Sequence, residues 1–301
     1  MIFGHRSFCS LICGILLIVW TIPSAENASA GESDPVLATA GALSAAGNFD
    51  AAITEYLRYL YFHPTAETIG GVYLNMGNVY LRLSDWENAR DAFRRSIRFA
   101  PNDSLKNVRR LNLAIHSIAH KNYSLAVLEL LKVASFSKQP HLRRKAGFYL
   151  GVANVYLLEF DQVEAALAPY FSKDSSDYGR KTWQRLQRLA GKGKTIHPRS
   201  PATAKWLSTV FPGLGQLYSG DFKNAVNALA LNGLLGYGVT RAFLEQNYVD
   251  AVLEGVFLFQ RYYMGNRVHA AQIARTRPIK KEKKIAEEIL TELGKYLAHK
   301  R

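Results

Sequence analysis

The chain has 301 residues, 48% of them hydrophobic and 21% charged. That balance excludes a disordered polyelectrolyte and has room for about two domains. Thirty-eight basic residues against 24 acidic ones give a net charge of +14, an excess that favours phosphate-bearing partners, nucleic acid or anionic lipid. Two cysteines, Cys9 and Cys13, exclude both a disulfide-rich scaffold and a four-cysteine zinc site.

The first element in chain order is an apolar run from Phe8 to Trp20, preceded by Arg6 and followed by small residues up to Ala25 and Ala30. A short basic start, an apolar stretch and a small-residue ending predict a secretory signal peptide over residues 1–30. The alternative is an uncleaved anchor, although the run falls short of the roughly 20 apolar residues of a membrane span. Cleavage after Ala25 or Ala30 removes both cysteines, so the exported chain needs no disulfide chemistry.

A repeating pattern follows from residue 34 to about 172. Gly77, Tyr80, Trp86, Ala89, Phe93 and Pro101 place small residues where two helices approach, large ones in the gaps around them, and a proline where the second helix must stop. This set resembles a tetratricopeptide repeat, a pair of antiparallel helices about 34 residues long. The rhythm returns at Ala40, Phe49, Ala52, Tyr56 and Pro64, at Ala114, Tyr123, Ala126, Leu130 and Pro140, and more weakly at Ala153, Tyr156 and Ala165. About four such repeats stack into a solenoid. The resemblance implies a groove that holds a protein or peptide partner, with contacts from the first helix of each pair. Tyr59, Tyr61 and Phe62 form an aromatic cluster that packs between repeats, and a glycan platform built on Tyr59, Tyr61 and Trp86 is its rival. Arg94, Arg95, Arg98, Arg109 and Arg110 read as a solvated helix face, the alternative being a groove lining for acidic termini.

Residues 180–205 contain eight basic residues and no acidic one, and residues 275–301 contain nine basic and four acidic. These stretches hold nearly all the excess charge and bracket an apolar region, residues 206–274. The first reads as a basic linker, because Gly193, Pro198 and Pro201 interrupt helical structure. The apolar region opens on Pro212, Gly213, Gly215, Gln216, Tyr218 and Gly220. This P-G-x-G-Q-x-Y-x-G string resembles a group of small bacterial membrane domains built on two hydrophobic helices. The predicted helices run from Ala225 to Phe243 and from Val249 to about Ala271, joined at Glu245, Gln246 and Asn247. Gly215 permits close backbone approach, Gln216 satisfies backbone groups freed by the turn, and Tyr218 sits at headgroup level. Ala228, Asn232 and Gly236 suit close helix packing. Arg241 and Glu254 form a candidate charge pair inside a bundle or oligomer. In the tail, Ile285, Ile289, Leu290, Leu293 and Leu297 share one face of a basic amphipathic helix, which suits either a lipid surface or a partner helix.

Catalytic signals are weak. Gly193, Lys194 and Thr195 end like a phosphate-binding loop, but Arg188 stands where the motif needs glycine. His116 and His120 have a metal-compatible spacing, but the intervening residues lack the glutamate of a zinc-protease helix. No metal or cofactor is expected. Nucleic acid is disfavoured by export and by the scarcity of aromatic residues among the basic ones. The sequence therefore predicts an all-α protein: a signal peptide, a tetratricopeptide-like solenoid over residues 34–179, a basic linker over 180–205, a membrane-associated hydrophobic hairpin over 206–274 and a basic amphipathic tail over 275–301. The expected function is a non-enzymatic scaffold or adaptor in the bacterial envelope, with repeats in the periplasm. Its partners are a protein or peptide in the groove, anionic lipid, and further copies through the hairpin. The alternative is a transport or channel subunit in which the hairpin, with Arg241 and Glu254, is the active part.

Overall fold

A computed structural model describes residues 34–65 and 67–300, without the side chains of Glu254 and Phe259. The expected signal peptide and both cysteines lie outside the described residues. Among the described residues there are helices and no strand. The chain divides into two compact units, one formed by residues up to Ala190 together with Glu288–Arg301, the other by Gly191–Glu287.

The first unit is a tetratricopeptide-like solenoid. Its helices are α1 (Pro35–Ala45), α2 (Phe49–Phe62), α3 (Ile69–Arg82), α4 (Trp86–Arg98), α5 (Asp103–Ala119), α6 (Tyr123–Phe136), α7 (Pro140–Leu157) and α8 (Phe160–Phe171). A longer helix, α9 (Asp177–Lys194), follows. Asp34, Asp85, Asn102 and Asn122 cap α1, α4, α5 and α6 by accepting backbone N–H groups of the first turn, which satisfies donors that have no partner inside the helix.

The two helices of each pair are joined by one recurring turn. Gly47, Ser84, Lys121 and Leu158 all have left-handed backbone angles and follow one another at intervals of 37 residues. In each turn the amide after this residue reaches back five residues: Asn48 to Leu43, Asp85 to Tyr80, Asn122 to Ser117 and Glu159 to Asn154, at 2.8–2.9 Å. This bond satisfies a helix-terminal carbonyl. The true period is therefore 37 residues, a little longer than the usual repeat.

Small residues let the helices of each pair touch. Ala40, Ala52, Ala89, Ala114, Ala126 and Ala153 are fully buried. A Cβ on Gly77 would lie 2.6 Å from the Phe93 ring, and one on Gly151 would lie 2.5 Å from Leu167. The fourth pair is shifted by two residues from the sequence reading. Ala165 is exposed, and the 37-residue period puts buried Val163 where Ala89 and Ala126 stand in the earlier pairs, while the Ala166 carbonyl lies 2.7 Å from where a Gly147 Cβ would stand.

The expected basic linker is helical up to Lys194, because α9 has an apolar face of its own. Leu186 and Ala190 are buried, and Trp183 stacks on Phe171 at 5.3 Å. Only residues 195–200 lie outside a helix.

The second unit contains α10 (Pro201–Val210), α11 (Leu214–Tyr218) and α12 (Phe222–Leu244). A turn at Glu245–Asn247, with Gln246 left-handed, leads into α13 (Tyr248–Val252), a wider π-helical stretch Leu253–Phe259 and α14 (Gln260–His299). The expected second helix therefore does not end near Ala271. It continues through Pro278 into the tail. The expected transmembrane hairpin is not found: no described helix is long and apolar enough to cross a membrane.

The last turns of α14 belong to the first unit. Ile289, Leu290, Leu293 and Tyr296 are buried there. The Tyr296 ring packs 4.9 Å from Phe171 and 6.3 Å from Tyr178. Its hydroxyl donates to Asp174, whose carboxylate also pairs with Lys300 at 3.5 Å. Arg185 meets Glu292 at 3.4 Å. Much of the apolar stripe expected to lie on lipid or a partner thus covers the end of the solenoid. A stack of helix pairs needs such a cap, because its last pair would otherwise leave an apolar face in water.

Candidate functional site

In the repeat unit, five of the six sequence-predicted signature residues pack together. Gly77 faces the Phe93 ring, and Phe93 and Ala89 belong to one buried cluster with Tyr80 and Trp86 packed against it. Pro101 is exposed in the break between α4 and α5. Trp86 stacks on His120 at 4.4 Å and 10°, and Phe93 stacks on His116 at 5.2 Å and 4°. The two histidines are therefore packing residues facing aromatic rings. No group of three or more potential metal ligands occurs among the described residues.

Burial, with a smaller effect from His120, lowers the pKa of His116 from 6.5 to about 4. The unfolded chain takes up this proton below 6.5 and the folded chain only near 4. The contribution of His116 is thus complete above pH 6.5 and is lost as pH falls towards 4, by something of the order of 2–3 kcal/mol. Denaturant titrations across this range should show that loss in the wild type and a shallower one in His116→Gln.

Neither the expected packing cluster of Tyr59, Tyr61 and Phe62 nor its rival, the glycan platform, is assembled as a unit. Tyr59 is buried, its hydroxyl 2.7 Å from that of Thr68, whereas Tyr61 and Phe62 are exposed and meet edge to face at 5.2 Å. The arginines are not one solvated face either. Arg109 is buried and donates to the Ser96 carbonyl at 2.8 Å. It closes over Gly70, where a Cβ would lie 2.3 Å from its guanidinium. Arg110 pairs with Glu129 at 3.5 Å.

In the second unit, the glycine-rich string ties three helices together. Half-buried Pro212 follows the end of α10. Gly213 has φ +99°, and a Cβ there would lie 2.6 Å from the Ala225 carbonyl oxygen. A Cβ on Gly215 would lie 2.0 Å from the Ala204 carbonyl oxygen, so α11 crosses α10 backbone to backbone. The Gly215 amide donates to the Ser208 hydroxyl at 3.1 Å, and that hydroxyl donates to the Gln216 side-chain carbonyl at 3.1 Å. Gln216 is fully buried. Its amide group donates to the Asn266 backbone carbonyl at 3.2 Å and also to the Asn266 side chain. Gly220, with φ +77°, sits in the same turn type as the repeats, the Asp221 amide reaching the Gln216 carbonyl at 2.8 Å. Tyr218 packs against a small cluster of Ala204, Ala270 and Ala274, with Arg199 5.3 Å above its ring. The string therefore works as a lock of close contacts and buried hydrogen bonds. Asn266, its distant partner, has no local sequence signal.

Around this lock the unit exposes much apolar surface, including Trp206, Phe222, Leu234, Tyr237 and Phe257. Asn232 is buried and donates to the Ala228 carbonyl at 2.7 Å. Arg241 pairs with Glu245 one turn away at 2.8 Å. The Glu254 side chain lies outside the described residues.

No curated protein matches the chain. Residues 71–103 match the family model described as Tetratricopeptide repeat, which covers most of α3, all of α4 and the break up to the start of α5.

Proposed function

We propose that the protein is a scaffold of the cell envelope, in which the repeats hold a protein or peptide partner and the second unit ties them to a membrane surface. Tetratricopeptide repeats generally serve protein–protein interaction, and the match over residues 71–103 supports that part of the reading. The tether is carried by one observation. Trp206, Phe222, Leu234, Tyr237 and Phe257 all leave more than 60% of their surface open, and apolar surface on this scale marks a membrane or protein interaction site. Since no described helix is long and apolar enough to cross a bilayer, the unit lies in the interface, with aromatic and aliphatic side chains entering the acyl boundary. The basic residues on either side of the apolar region favour anionic lipid. In this reading the N-terminal apolar run exports the chain, the repeats face the periplasm, and no residue is assigned a catalytic role.

Flotation of the purified full chain with liposomes tests the tether. The wild type should rise with vesicles of phosphatidylcholine and phosphatidylglycerol. Leu234→Asp/Phe257→Asp should stay in the soluble fraction with unchanged helical content. A wild type that stays below, or a double variant that still floats, refutes the tether. Protease access in whole cells then decides the compartment, since exported repeats are cleaved once the outer membrane alone is opened.

A further inference from the structure

Residues 195–199, the end of α11 with Ser219 and Gly220, and the Arg277–Lys281 turn of α14 line an open cavity of about 590 Å3. Its wall carries Arg199, Arg277, Lys281, His197 and Tyr218, and no carboxylate lines it. Two of the cations are held in place. Arg199 donates to the Tyr218 carbonyl and lies over the Tyr218 ring. Arg277 is fixed by Asp221 at 3.0 Å. Lys281 is exposed, with no ion pair among the described residues. Three cations on the wall of one concavity repel each other unless an anion joins them, and Asp221 pairs with Arg277 from outside the lining.

We propose that this cavity binds a phosphate ester, with Arg199, Arg277 and Lys281 holding the phosphate oxygens. Guanidinium groups match the paired oxygens of phosphate, and an ammonium adds a point charge to the third. The hydroxyl of Tyr218 offers a further donor, and the cavity volume exceeds that of a bare ion, leaving space for the alcohol part of the ester. The same chemistry is presented by a phospholipid headgroup and by a soluble phosphate. The lipid source rests on the tether proposed above, whereas the phosphate site does not.

Calorimetry on the full chain in dodecyl maltoside separates these possibilities. The probes are dioleoyl phosphatidic acid carried in mixed micelles of that detergent, and glycerol 3-phosphate in buffer. Saturable binding of either supports the site, and the probe that binds more tightly identifies its source. Lys281→Gln should weaken that binding about tenfold, and Arg199→Gln/Lys281→Gln should weaken it further. Lys280→Gln removes the same charge one residue outside the cavity lining and should change binding by no more than about twofold. If neither probe binds, or if Lys280→Gln costs as much as Lys281→Gln, the cavity site is wrong and the basic residues act as a diffuse surface. A chain that binds glycerol 3-phosphate but fails to float with vesicles would lose the tether and keep the phosphate site.

Discussion

Tyr296→Ala is expected to destabilise the repeat unit by about 3–5 kcal/mol, the range for removing a large buried aromatic side chain. The ring is 2% exposed and packs against Phe171 and Tyr178. Its loss would open a cavity where the last repeat helices, α8 and α9, meet the end of α14. The damage should spread to Trp183, which stacks on Phe171. Denaturation followed by tryptophan fluorescence would show an earlier midpoint and a red-shifted native spectrum. Tyr296→Phe isolates the hydroxyl. Asp174 keeps the Ser176 amide at 3.1 Å and Lys300 at 3.5 Å, so this variant should cost only about 1 kcal/mol. If Tyr296→Ala were as mild as Tyr296→Phe, the terminal helix would not be a cap.

Gly215→Ala should be the most damaging methyl group that can be added to the second unit. The new Cβ would stand 2.0 Å from a backbone oxygen and 2.4 Å from the Ser208 hydroxyl. A backbone atom cannot swing aside, so α10 and α11 would have to separate, breaking the Ser208–Gln216–Asn266 chain of hydrogen bonds. The expected loss is about 3 kcal/mol or more, at or above the upper end for overpacking. Gly233→Ala provides the contrast. It lies within α12 with open space at its Cβ, and alanine there should stabilise the helix by about 1 kcal/mol. Hydrogen exchange over residues 201–220 reads both: Gly215→Ala should lose protection and Gly233→Ala should keep it. Equal protection in the two variants would mean that the close crossing of α10 and α11 does not hold the unit together.

The two predictions draw on information that differs in its visibility. Gly215 belongs to a short string whose proline and glycines announce a tight turn. What they announce is local, and Asn266, fifty residues away from Gln216, could be found only once the chain had folded back. The tail is a sharper case. Ile289, Leu290 and Leu293 share a face in any helix, and that face suits lipid, a partner or the protein's own core equally well. The deciding contact, Tyr296 with Asp174, joins residues 122 apart.

The same division runs through the repeats. Ala52, Ala89 and Ala126, spaced one repeat apart, mark the closest approach of paired helices, because only small side chains allow it. That regularity was readable from residue order, as was the all-helical class. The positions of the turns at Ser84 and Lys121 were readable too, but the left-handed angles there and at Leu158 were not, since none of these residues prefers that conformation. They adopt it because the packed helix pairs on either side dictate where the chain must reverse. Arg109 and His116 look like surface or ligand groups in one dimension, and the stacked helices bury the first and pack the second against Phe93. Periodicity and turn chemistry act over a few residues, so the linear order of residues specifies the helices and their pairing. Which apolar face is covered and which is left open depends on contacts between distant segments. Only the folded chain settles that the end of α14 closes the solenoid while Trp206, Leu234 and Phe257 remain exposed.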